Sequence, residues 1–382
     1  MTDRMPAAVV ATDARTAVQG LITALRQHGF TVIGPRRRGE AIVLEVLHAV
    51  DDLPLGLTDE QEAATYRVVT GDGRSLFGYA VGPQSPRRYL SPPRRTLWTG
   101  ERAGLDFVVR TRDPDPPAYA FLGIRACELA AIDVQDRVLR DGRYPDPDYS
   151  AARERAFFVG VNCAAPAPTC FCTSMGTGPE VRQGHDLVLT ELLDDVRHEL
   201  LMAAATDRGA AVLDAALDGM PWRHAGPRDL EAVQDIVTTS AAQMTRRLDA
   251  ETARDTLAAN LDHPQWDDVA DRCLSCTNCT LVCPTCFCSS VEDVTSIDGE
   301  RTERLERWDS CFTLGHSTLH GMGSVRGDVR SRYRQWLTHK LSTWWDQFGT
   351  SGCVGCGRCI AWCPAAIDLT AEVAAMSGPV AS

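Results

Sequence analysis

No run in this chain approaches the roughly 20 consecutive apolar residues that a membrane-spanning helix needs, so no membrane span is expected. A charged start followed by an apolar stretch and a small-residue cleavage site is also missing, and the expected location is the cytoplasm. Basic residues are outnumbered, 39 against 51 acidic, and a net charge of -12 argues against nucleic acid as the main partner. The arginines from Arg301 to Arg334 do cluster, but Glu300, Glu303, Glu306 and Asp328 are interspersed, which describes first a solvated mixed-charge face and only second a docking surface. There is no Walker A sequence. The one glycine-rich candidate, Gly321-Met322-Gly323-Ser324-Val325-Arg326-Gly327, has its third glycine one residue late and no clear strand before it. His185, His263, His316, His320 and His339 are dispersed, so no nucleophile with its base announces itself.

Cysteine, by contrast, is abundant, with fifteen residues in 382. In a chain not marked for secretion that number favours metal over disulfide. Eight of them form one pattern written twice: Cys273, Cys276, Cys279, Cys283 before Pro284, and Cys353, Cys356, Cys359, Cys363 before Pro364. Each is C-x2-C-x2-C-x3-C-P, the bacterial ferredoxin run. Three thiolates at three-residue spacing wrap one cube of iron and sulfide, and the fourth, displaced by an extra residue and a rigid proline, serves the neighbouring cube. Two 4Fe-4S clusters are therefore expected, one held by Cys273, Cys276, Cys279 and Cys363, the other by Cys353, Cys356, Cys359 and Cys283. Structural zinc is the competing reading, and paired C-x2-C knuckles would suit it better than a third cysteine at this spacing. Exchange of ligands between the motifs also requires the stretch between them to leave and return to one place.

The N-terminal part reads as an α/β module. Asp13 caps a helix with Val18, Leu21, Ile22 and Leu25 on one face, ended at Gly29. Two hairpins are expected next, Thr31 to Ile33 with Ala41 to Leu47, and Tyr66 to Thr70 with Leu76 to Val81 around Gly71-Asp72-Gly73. Tyr119 to Ile124, Glu128 to Leu139 and Ala156 to Val161 then form a βαβ unit. Its right-handed crossover makes the strands parallel, with their carboxyl ends on one edge of the sheet. Cys127 and Cys163 follow those ends, and Cys170 and Cys172 sit in a stiff loop, Pro166-Ala167-Pro168-Thr169-Cys170-Phe171-Cys172, able to fold over the same edge. Two readings of these four thiols stand side by side: a third 4Fe-4S site, or buried cysteines that only pack. Cys286, Cys288 and Cys311 are expected to shield a cluster, with thiol chemistry or further metal binding as alternatives.

Several stretches resemble a known family. Phe121-Leu122-Gly123-Ile124-Arg125-Ala126-Cys127-Glu128, Val161 to Cys163, Thr169-Cys170-Phe171-Cys172, Gly176-Thr177-Gly178-Pro179, His263-Pro264-Gln265-Trp266 and Trp308-Asp309-Ser310-Cys311 resemble the β subunit of cytosolic NiFe sulfhydrogenases, across nearly the whole chain. A less close resemblance reaches the corresponding subunit of anaerobic sulfite reductases, which shares the same layout. The resemblance implies an electron-transfer subunit without catalytic residues, partnered by an FAD and NAD(P)-binding subunit, by a small Fe-S subunit and by a NiFe large subunit. It also favours the third cluster, because the family carries extra cysteines at Cys127, Cys163, Cys170 and Cys172. The resulting expectation is an α+β chain: residues 1–190 as an N-terminal α/β domain, 191–271 as a helical connector, and 272–382 as a dicluster ferredoxin-like domain with an insertion at 289–350. A stand-alone iron-sulfur redox sensor is the alternative from another functional class.

Overall fold

The computed structural model describes residues 8–111 and 113–377. Its largest sheet has eight strands, in the spatial order Trp222–His224, Val9–Ala11, His198–Ala204, Leu187–Leu193, Phe157–Val161, Tyr119–Ile124, Thr31–Arg38 and Ala41–Val46. The four inner strands from Leu187–Leu193 to Thr31–Arg38 are parallel, and the flanking pairs are antiparallel. Continuous apolar runs such as Phe157–Val161 suit this position, since an inner parallel strand is covered on both faces. Alternate residues then serve opposite layers. Phe157, Val159 and Val161 pack with Leu21, Ile22 and Leu25, whereas Phe158 stacks on Phe121 at 5.4 Å between ring centroids, among Leu129, Ile132 and Tyr149.

The helix Ala14–Gln27 is capped as its sequence predicts, the Asp13 carboxylate accepting from Thr16 N at 2.6 Å, with Gly29 past its end at φ +85°. The βαβ unit is also present as expected, running from Tyr119–Ile124 through the helix Ala126–Leu139 to Phe157–Val161, with a further helix, Pro147–Arg155, before the second strand.

Two sequence expectations are corrected. Tyr66 to Thr70 does not pair with Leu76 to Val81: the strand Thr65–Thr70 pairs with Leu57–Glu62. Side chains satisfy the backbone of residues 76–81 in place of a partner strand. The Glu191 carboxylate accepts from Leu76 N and Phe77 N at 2.7 and 3.0 Å, Asp59 accepts from Ala80 N, and the Arg125 guanidinium donates to the carbonyls of Phe77 and Tyr79 at 2.7 Å each. Nor is 191–271 helical throughout. Glu191 lies in the strand Leu187–Leu193, which turns at Asp194 and returns as His198–Ala204; helices begin at Asp207 and are interrupted by the edge strand Trp222–His224.

The insertion 289–350 is built into the rest of the molecule. Its hairpin, Ser289–Thr295 with Arg301–Trp308, joins Arg94–Ala103 and Asp106–Thr111 in a four-stranded sheet. Arg95 clasps Glu306 and Asp146 together, and the Arg87 guanidinium lies 3.7 Å from the centroid of the Trp308 ring. Near the cysteines, Ala80, Val81, Cys127, Cys170, Cys172, Trp344, Val354 and Cys356 share one apolar cluster, so N- and C-terminal segments form a common core there.

Candidate metal centres

The two ferredoxin motifs adopt the same backbone course. In the first, Ser275 and Thr277 flank Cys276 at φ 50° and 70°; in the second, Gly355 and Gly357 flank Cys356 at φ 65° and 75°. Left-handed backbone on non-glycine residues carries a conformational cost and is concentrated at functional sites. Here it turns amides toward sulfur: Ser275 N donates to Cys273 Sγ and Gly355 N to Cys353 Sγ, both at 3.4 Å, and Ile367 N reaches Cys363 Sγ at 3.4 Å. Glycine is required in the second motif for a further reason. A Cβ on Gly355 would stand 2.7 Å from the backbone of Cys172, and one on Gly357 would stand 2.5 Å from the Thr169 carbonyl oxygen. The loop carrying Cys170 and Cys172 thus lies directly on the second motif, fixed by Phe171 N donating to Gly355 O at 2.8 Å and Thr177 Oγ1 to Val354 O at 2.6 Å.

The thiols meet in three groups. Cys273, Cys276, Cys279 and Cys363 line one small cavity of about 30 Å³ with Phe312, Tyr333 and Trp336, with Cys359 of the second motif on its wall, and Cys279 feels the charges of the other three and of Cys283. Cys359 faces Cys353, Cys283 and Cys356 in the second group, with Cys279 of the first group next to it. In the third, Cys170 and Cys172 both face Cys163, Cys127 faces Cys172, and all four thiols are buried. Cys356 neighbours Cys127, Cys170 and Cys172 as well as Cys353, which makes it common to the second and third groups. In each motif the last cysteine therefore joins the group of the other motif.

Burial dominates the electrostatics. It pushes the thiols of Cys353 and Cys172 up to about 12, and those of Cys127, Cys170, Cys279 and Cys359 well above their ordinary value. Sulfurs in such surroundings stay protonated unless a metal takes the proton's place. Among the thiols of the three groups Cys283 moves the other way, lowered by its hydrogen bond with Cys286 and by Lys340. The buried Lys340 ammonium donates to Cys283 Sγ at 3.3 Å, Thr285 Oγ1 at 2.7 Å and Gly352 O at 3.2 Å. A second buried cation, Arg358, sits between Cys356 and Cys359 in sequence and binds Glu128, next to Cys127, at 2.6 Å. Among the described residues no three His, Cys, Asp or Glu side chains stand close enough to share a single ion. Four-iron cubes ask for a different arrangement, one sulfur per iron corner, and grouped thiols with N–H donors and buried counter-cations fit that requirement.

Lys340, Glu128 and Arg358 escape a sequence reading. Only Arg358 carried a signal, as a lone charge inside a cysteine motif. Its ion pair is 1% and 5% exposed on its two side chains, and removing one partner of a buried pair costs roughly 3–5 kcal/mol. Arg358→Met is expected to lower the unfolding free energy of the reconstituted chain in urea by about that amount, and Arg358→Met with Glu128→Leu to recover part of it. Equal stability of the single variant and the wild type would contradict this.

A family model described as a 4Fe-4S dicluster domain matches residues 272–367. The chain is also 28% identical over 337 residues to sulfhydrogenase 2 subunit beta of Pyrococcus furiosus, covering 88% of this chain and 89% of that one. The resemblance seen in the individual stretches thus extends along the chain, which is an iron-sulfur protein with 4Fe-4S chemistry and the features of an electron-transfer subunit.

Proposed function

We propose that this chain is a cytoplasmic electron-relay subunit of a hetero-oligomeric oxidoreductase, connecting an FAD and NAD(P)(H)-binding subunit to a hydrogenase or sulfur-reducing centre through three 4Fe-4S clusters. Cys273, Cys276, Cys279 and Cys363 would hold the first cluster; Cys353, Cys356, Cys359 and Cys283 the second; Cys127, Cys163, Cys170 and Cys172 the third. Bound there, the clusters supply one-electron transfer. The observation that carries the reading is continuity: Cys279 adjoins the second group of thiols, and Cys356 adjoins the third.

The protein's own contribution is charge and exclusion of water. Lys340 at Cys283 and Arg358 beside Cys356 place positive charge against sulfurs that would be anionic when ligating, which favours uptake of negative charge at the second site. Amides donating to Cys273, Cys353 and Cys363 act in the same sense. The Gly355 and Gly357 contacts keep the third site pressed against the second.

Isolated and flavin-free, the chain is expected to bind no NAD(P)H, since it lacks the glycine turn that lets backbone approach a pyrophosphate. Its reconstituted form should still bleach on addition of dithionite. Calorimetry with NADPH is the test, and tight binding by the isolated chain would overturn the relay reading.

A further inference from the structure

Every residue from Glu101 to Thr111 is exposed, so the tip of the hairpin formed by Arg94–Ala103 and Asp106–Thr111 stands clear of the rest of the molecule. Asp106–Thr111 is the outer strand of its four-stranded sheet and has a neighbour on one side only. Phe107, Val108 and Val109 give it strong strand character and an apolar edge. Folded proteins blunt such edges with charge, proline or bulges. The opposite edge of the sheet, Ser289–Thr295, follows that practice: Glu292 pairs with Arg307, and Asp293 with Arg304. Asp106–Thr111 contains no proline and no register shift, and neither Asp106 nor Arg110 has an ion-pair partner among the described residues.

The direction of the free backbone groups follows from Arg102. Its N–H donates to Glu300 O at 2.9 Å, away from Asp106–Thr111, so Arg102 and its cross-strand partner Phe107 exchange no hydrogen bonds. Phe107, Val109 and Thr111 therefore turn their N–H and C=O groups to the open edge, while Asp106, Val108 and Arg110 turn theirs inward. The Phe107 ring lies over Gly100, on the face of the sheet and out of the way of that edge.

We propose that Asp106–Thr111 is the two-fold interface of a homodimer, in which the same strand of a second copy pairs with it antiparallel and joins the two sheets into one. Only registers that set outward-turned residues opposite each other can form bonds. Centring on Val108 does so. Phe107 then lies opposite Val109 of the second copy and exchanges both hydrogen bonds with it, Val108 meets Val108 on the axis, and Asp106 lies opposite Arg110, twice over. Asp106 and Arg110 fall in the close, non-hydrogen-bonded pairs, where opposite charges stabilise a sheet. The neighbouring allowed registers, centred on Phe107 or on Val109, put Asp106 opposite Val108 or Val108 opposite Arg110 and lose both ion pairs. Such self-complementarity in one register is what a closed two-fold contact requires. The pairing involves no cluster and is independent of the relay reading.

Sedimentation of the full-length, anaerobically reconstituted chain over a range of concentrations tests it, and the wild type should run at twice the mass of one chain. Val109→Pro removes an N–H that has no partner within the chain, a position where an edge strand tolerates proline. It should weaken self-association by about 30-fold, two inter-strand hydrogen bonds being lost per dimer. Asp106→Arg and Arg110→Asp set like charges opposite each other, so each should run as a single chain. Mixed together, the two charge variants should form a dimer, a recovery that misfolded proteins would not show. Wild type at the mass of one chain throughout would overturn the proposal and leave this edge to a different polypeptide. A dimer that persists in Val109→Pro and in both charge variants would overturn it as well, by placing the contact elsewhere.

Discussion

Cys363→Ala is expected to abolish the electron paramagnetic resonance signal of the centre formed by Cys273, Cys276 and Cys279, 84 to 90 residues earlier in sequence, and to spare the centre of Cys353, Cys356 and Cys359 beside it. Cys363 lines the cavity of the first group, and its charge bears on Cys273 and Cys279. About four iron atoms should go with that centre. Cys283→Ala is the mirror experiment and should remove the second centre. It carries an added penalty, because Lys340 loses its sulfur partner and keeps only Thr285 and Gly352 in a buried site. Cys283→Ala should therefore be the less stable variant. Persistence of the first signal in Cys363→Ala, with loss of the second, would mean that each motif holds its own fourth ligand.

Cys170→Ser with Cys172→Ser is expected to lower the iron content of reconstituted protein from roughly 12 to roughly 8 atoms per chain, with both ferredoxin signals intact. The four thiols of this site come from two strand ends and one loop, and the loop is anchored on the second motif by Phe171 and Thr177 independently of its sulfurs. The loop should thus stay in place when its sulfurs are replaced. Any magnetic coupling between the second and third centres should vanish, because Cys356 lies against both. If these cysteines only pack, polar replacements in a dry pocket cost stability and no metal. Iron analysis decides it: about 8 atoms in fully reconstituted wild type, unchanged in the double variant, would leave the site structural.

The expectation that the thiols meet rests on short-range rules. Three-residue spacing and a following proline constrain the ferredoxin runs, and a right-handed crossover brings Cys127 and Cys163 to one edge although 36 residues separate them (163 minus 127). What sequence did not show depends on partners distant in the chain. Leu76 to Val81 has a strand's composition, but Glu191 and Arg125 take its backbone bonds. The hairpin of the insertion finds its sheet with Arg94–Ala103, about 200 residues away. Gly355 and Gly357 could be read as turn glycines, yet the contact that demands them is the Thr169 to Cys172 backbone. Lys340 sits in a helical stretch with nothing local to mark it as the partner of Cys283.

The relay itself can be followed in the native complex, isolated through a tag on this chain, with its companion subunits present. Reductant is mixed in and samples are frozen at successive times for electron paramagnetic resonance. Signals removable by Cys363→Ala and by Cys170→Ser with Cys172→Ser are expected to appear before product forms and to decay when acceptor is supplied, and either variant should slow overall transfer while the partner subunits keep their own half-reactions. Full-rate turnover with these centres remaining oxidised throughout would contradict the relay.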